Sequence, residues 1–135
     1  MLSKLTKGTA LPIEELAAIS PARFRSVLNR PDGAKYQPLD FQQRDFEATD
    51  LAWLDLCAGK GKGGRYWIER TRGASKSTDV AIQVLWPLAF SERAICGVAA
   101  AGDQDQAGVL RDRIVDVIRA NDWLRGFLDV KQYQI

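Results

Sequence analysis

Between residues 65 and 121 two short apolar runs alternate with two longer stripes at helical spacing, and this order constrains the fold more than any other feature. Residues 65–70 read Arg-Tyr-Trp-Ile-Glu-Arg, aromatic and β-branched as strands prefer. In residues 79–86, Val80, Ala81, Val84 and Leu85 keep helical spacing until Pro87 disturbs it. Residues 93–100 are almost wholly apolar, as a buried parallel strand would be. Asp103, with Gln106 after it, forms a capping-box-like start to a helix. Its stripe is Ala107, Leu110, Ile114, Val117 and Ile118, and it should end near Asn121. Residues 130–135 begin like another strand. Strand, helix, strand, helix, strand in this order predicts right-handed crossovers, a parallel sheet and an α/β fold with helices flanking the sheet.

The preceding chain reads as helical. Residues 1–37 form a polar leader and short helices, an N-terminal arm to a main unit over residues 38–135. Ser20 and Pro21 make an N-cap and first-turn pair, after which Phe24, Val27 and Leu28 share a face. Residues 29–33, Asn-Arg-Pro-Asp-Gly, end that helix as a turn. Residues 41–57 place Phe46, Trp53, Leu54 and Cys57 at spacings of an amphipathic helix. Residues 59–64, Gly-Lys-Gly-Lys-Gly-Gly, read as a flexible basic loop.

Several chemistries drop out on composition. The 135 residues contain no histidine and only two cysteines, Cys57 and Cys96, far apart. Zinc sites, Ser-His-Asp triads, Cys-His nucleophiles and histidine general bases are therefore excluded together. A net charge of +2 gives no bulk basicity, so a nucleic-acid partner would need a local patch. No apolar run is long enough for a membrane span, and residues 1–9 lack the apolar core of a signal peptide, which predicts a cytoplasmic location and no membrane partner.

The sharpest candidate site is the turn Thr71-Arg72-Gly73-Ala74-Ser75-Lys76-Ser77-Thr78, between a predicted strand and the start of a predicted helix. Unpaired backbone N–H groups and the positive helix end favour an anion there. A lysine at the helix start can reach terminal phosphates and a hydroxyl after it can ligate Mg²⁺; Lys76 and Ser77 hold those positions. Against the pattern G-x-x-x-x-G-K-[ST], Arg70 and Ser75 occupy the two glycine positions. The alternative is a basic turn with a solvated lysine. Gly59, Gly61 and Gly64 satisfy G-x-G-x-x-G, but they precede the predicted strand, so the dinucleotide fingerprint lacks its context. Contact of Lys60, Lys62 and Arg65 with a DNA backbone is the lesser reading of that run.

Residues 66–77 together with residues 97–107, Gly-Val-Ala-Ala-Ala-Gly-Asp-Gln-Asp-Gln-Ala, resemble the large terminase subunit of tailed phages, the ATPase motor that packages DNA into procapsids. The resemblance spans residues 38–135. It implies a P-loop NTPase sheet of the RecA/ASCE type, with ATP and Mg²⁺ as cofactors. Partners would be double-stranded DNA, a small terminase subunit, the portal of the procapsid, and further copies of the chain in a ring. Lys76 then matches the Walker A lysine on the β- and γ-phosphates, Ser77 its Mg²⁺ hydroxyl, and Gly73, Ala74, Ser75 and Thr78 the rest of the cradle. Arg72 matches an arginine used in cis on the γ-phosphate; a salt bridge with Glu69, or an exposed turn cation, is the plainer alternative. Gln42 after Phe41, or Gln43 with its spacing to Phe46, resembles the adenine-reading glutamine of the Q motif.

An apolar strand ending in two carboxylates, which ATP hydrolysis by this class requires, does not occur; Asp129 begins a segment and does not end one. The coupling motif and the nuclease domain of a full terminase are missing as well. The chain reads as the N-terminal part of a motor, expected to bind MgATP weakly and hydrolyse it negligibly alone. A non-phage helicase-like P-loop ATPase and a non-enzymatic nucleic-acid-binding α/β module are the alternatives.

Overall fold

A computed structural model describes residues 10–61 and 64–131. In chain order its elements are α1 (Ile13–Ala18), α2 (Pro21–Val27), α3 (Asp40–Ala58), α4 (Lys76–Phe90), α5 (Gln104–Ala120) and a 3₁₀ turn (Asp122–Gly126).

Local chemistry accounts for most helix ends. Ser20 Oγ accepts from the Arg23 N–H at 3.2 Å with Pro21 in the first turn, so α2 starts where its cap stands. Asp103 Oδ1 accepts from the Gln106 N–H at 2.8 Å and starts α5 in the same way. Gly59, at φ 69°, closes α3 in the left-handed conformation that glycine adopts without a Cβ penalty. After α2 the chain reverses through residues 29–36, where Tyr36 N–H donates to the Leu28 carbonyl at 2.9 Å.

The core lies where α4 and α5 cover each other and the N-terminal helices close over them. Ala81, Ile82, Leu85 and Trp86 from α4 meet Ile114, Val117 and Ile118 from α5, with Ala17, Phe24 and Leu28 in the same cluster. Trp86 Nε1 donates to the Ala17 carbonyl at 3.1 Å, which ties α1 to α4. Asn121 joins the end of α2 to the end of α5: its Oδ1 accepts from Asn29 N–H at 2.7 Å, and its Nδ2 donates to the Asn29 and Val117 carbonyls at 3.0 and 2.9 Å. Arg25 makes a paired contact with Asp50, 2.8 Å for each bond, and lies 4.3 Å over the Phe46 ring, which locks α2 to α3. Buried groups of this kind persist because each is fully partnered.

Among the described residues the expected parallel sheet is absent. Their regular elements are helices, and their β structure is one isolated antiparallel bridge between Asn29 and Lys35. The two runs read as strands, residues 65–70 and 93–100, carry no strand hydrogen bonding; Trp67 is 89% and Val98 91% exposed. A short apolar run states only that its residues favour burial or extension, and a strand also needs a neighbour to complete its ladder. Here α4 and α5 bury their stripes on each other and on α1 and α2, leaving no sheet face to cover. The P-loop α/β architecture is therefore corrected to a helical one. Pro87 does not disturb α4, which continues through it to Phe90 with the ring buried.

No helix among the described residues is long and apolar enough to cross a membrane. The leader over residues 1–9, Lys62 of the basic loop and most of the strand expected over residues 130–135 lie outside the described residues.

Candidate phosphate-binding loop

Residues 70–75 approach α4 as a tight basic turn. Ala74 N–H donates to the Thr71 carbonyl at 3.2 Å, and Gly73 takes φ 83°. No atom lies within 4 Å of a Cβ built on Gly73, so its glycine is required by the dihedral and not by crowding. Ser75, at φ 56° and ψ 21°, is left-handed as well, and it is not a glycine. α4 starts at Lys76, and its opening backbone bond runs from Asp79 N–H to the Ser75 carbonyl at 3.0 Å. The amides of Lys76, Ser77 and Thr78 precede that bond, and Ser75 supplies no side-chain cap to them.

An open concavity of about 700 Å³ is lined by Arg70 through Thr78 and by Arg113 of α5. Its lining includes four cationic residues and no carboxylate. Lys76 and Arg72 are exposed, and among the described residues neither forms a salt bridge, so the alternative pairing of Arg72 with Glu69 is not made. Arg113 is held by Asp116 at 3.0 Å on its own helix. Gly73, Ala74, Ser75, Lys76, Ser77 and Thr78 thus line one concavity, with Arg72 beside them.

Gln42 and Gln43 are not part of this lining. Gln42 is buried, and its amide is fully engaged: Oε1 accepts from Leu39 N–H at 2.8 Å, while Nε2 donates to both Asp79 oxygens at 3.0 and 3.1 Å. Gln43 Nε2 donates to Glu47 one turn on, at 2.9 Å. An adenine edge would have to displace these bonds.

The partner of Gln42 belongs to a buried network behind the loop. Asp79 also accepts from Tyr36 Oη at 3.2 Å and from Arg70 Nη1. Arg70 bonds Asp45 Oδ2 through Nε at 3.0 Å and Nη2 at 2.5 Å, donates from Nη1 to the Ala74 carbonyl at 3.1 Å, and rests 5.0 Å from the Phe41 ring centroid. Burial, reinforced by the Asp79 carboxylate, pushes the Tyr36 phenol well above its usual value of 10. Sequence reading missed this network and Arg113. Arg70 stood in a glycine position of the loop pattern and Asp79 was given no role; their convergence with α3 is a tertiary event without periodicity.

Among the described residues no group of three acidic or cysteine side chains could by itself hold a metal ion. Comparison with protein-family models, with curated proteins and with solved structures finds no match.

Proposed function

We propose that residues 71–78 bind the triphosphate of MgATP, in the nucleotide-binding N-terminal portion of an ATP-driven DNA-packaging motor of the terminase large-subunit type. The phosphate reading is carried by one observation: Lys76 opens a 15-residue helix whose first amides share a carboxylate-free concavity with Arg72 and Arg113. Anions favour such a place because the helix end is positive and its N–H groups lack backbone partners. The donor set fits a phosphate chain and offers little to a bare cation. Mg²⁺ would therefore be held by the Ser77 hydroxyl together with phosphate oxygens and water, where it would neutralise charge on the chain. Lys76 and Arg72 would supply fixed positive charge to the outer phosphates.

The motor part of the reading rests on the resemblance in residues 66–77 and 97–107, without the sheet it was expected to bring. Double-stranded DNA as the moved polymer, a small terminase subunit, the portal and a ring of copies come with that resemblance. Binding, not hydrolysis, is the activity assigned to the loop, since no carboxylate in its lining could orient water.

Titration with MgATP tests the reading. Lys76→Ala should weaken binding by about tenfold or more, the size expected for a lost charge-assisted contact. Equal affinity in the two proteins ends it. A second reading is favoured by Tyr66 and Trp67, 53% and 89% exposed next to Arg65: a stacking surface for single-stranded nucleic acid. Salt-dependent DNA binding that ignores ATP and survives Lys76→Ala would select it.

A further inference from the structure

The geometry points to Arg70 as a positioning residue of the phosphate loop, through which α3 sets the loop's shape; this inference rests on the triphosphate reading above. Arg70 stands where the glycine-rich pattern would begin with glycine, yet it is among the most enclosed charges of the protein, its side chain 6% exposed. One guanidinium reaches three separate pieces of chain: Asp45 on α3, Asp79 on α4 and the Ala74 carbonyl in the loop. A planar fork with five fixed donors suits that task, and a lysine ammonium cannot span all three at once.

The contact with Ala74 fixes more than a distance. In a trans peptide the C=O and the following N–H point in opposite directions. Drawing the Ala74 carbonyl onto Arg70 therefore turns the Ser75 N–H away from the guanidinium. It also holds the peptide that precedes the left-handed Ser75 and the first turn of α4. Asp45 and Asp79 keep the guanidinium from swinging out to the phosphate itself, so Arg70 acts through the loop and does not touch the ligand. A flexible loop without this anchor would have to order its backbone on binding, at a cost in affinity.

The probe is inorganic tripolyphosphate, followed by calorimetry and by the amide resonances of residues 75–78, alongside thermal melting. Arg70→Lys keeps a cation beside Asp79 but loses the fork. It should lower tripolyphosphate affinity about tenfold and reduce the phosphate-induced amide shifts, while the melt stays cooperative. Asp45→Asn, altering a side chain 34% exposed, should lower affinity less, and it carries the test if Arg70→Lys fails to fold. Lys76→Ala serves as the reference. Lost binding there, with Arg70→Lys and Asp45→Asn both binding like the unaltered protein, overturns the positioning role alone. A loss in the Arg70 variant that only tracks its unfolded fraction overturns it too. Unchanged binding in Lys76→Ala removes the triphosphate reading and this inference together.

Discussion

Arg70 and Asp79, nine residues apart, meet in the interior on either side of the basic turn, with side chains 6% and 3% exposed. Asp79 also takes bonds from Tyr36 and Gln42, and Arg70 a second carboxylate from Asp45. Removing one member of such a set strands the others. Asp79→Ala should therefore lower stability by about 3–5 kcal/mol, in the range seen when one partner of a buried pair is deleted. Urea unfolding measures it; a loss under about 1 kcal/mol would mean that water screens the network.

Ser75 adopts a left-handed backbone that suits glycine, and the loop pattern has glycine at that position. Ser75→Gly should stabilise the protein by up to about 1 kcal/mol, the relief of the Cβ clash exceeding the added chain entropy of the unfolded state. Destabilisation in a denaturant melt would show that the serine side chain makes a contact that outweighs its dihedral.

Tyr36 gives the network an alkaline limit. Its phenol is raised above 10 in the folded protein by burial and by Asp79, so the folded state keeps a proton that the unfolded state gives up. The stabilisation is complete below pH 10 and declines as pH rises beyond it, because the unfolded chain then binds fewer protons. Tyr36→Phe should lower stability at pH 8 by about 1 kcal/mol, the worth of one hydrogen bond, and flatten the fall above pH 10. Parallel slopes for the two proteins between pH 9 and 11 would contradict the assignment.

Gln42 is committed to Leu39 and Asp79, and Gln43 to Glu47, so neither is free to read a base. MgATP, MgGTP and MgCTP should bind within about threefold of one another, since large discrimination needs a site built to hydrogen-bond the distinguishing groups. An ATP preference of about tenfold or more would require Gln42 or Gln43 to leave its partner.

The helices were legible where a local cap met a periodic stripe. Ser20 with Pro21 marked α2, and Asp103 with Ile114, Val117 and Ile118 marked α5, because both signals lie within a few residues of each other. The tight turn ahead of α4 was legible for the same reason: Gly73, Lys76 and Ser77 are neighbours. The sheet was misread because residues 65–70 and 93–100 have strand-like composition, while the partners that would make them strands are not encoded locally. Gln42 was placed on its helix correctly, but its role was set by Asp79, which lies 37 residues away. The use of Arg70 was hidden for a related reason, since its closest carboxylates come from two different helices, 25 and 9 residues away.

The chain has four tryptophans; Trp86 is 5% exposed, Trp53 and Trp123 are half-buried, and Trp67 stands 89% in water. That contrast makes residue 67 a built-in fluorophore. Its emission should lie at the red edge and be readily quenched by acrylamide, so any molecule that settles over residues 64–70 will announce itself as a blue shift without a label.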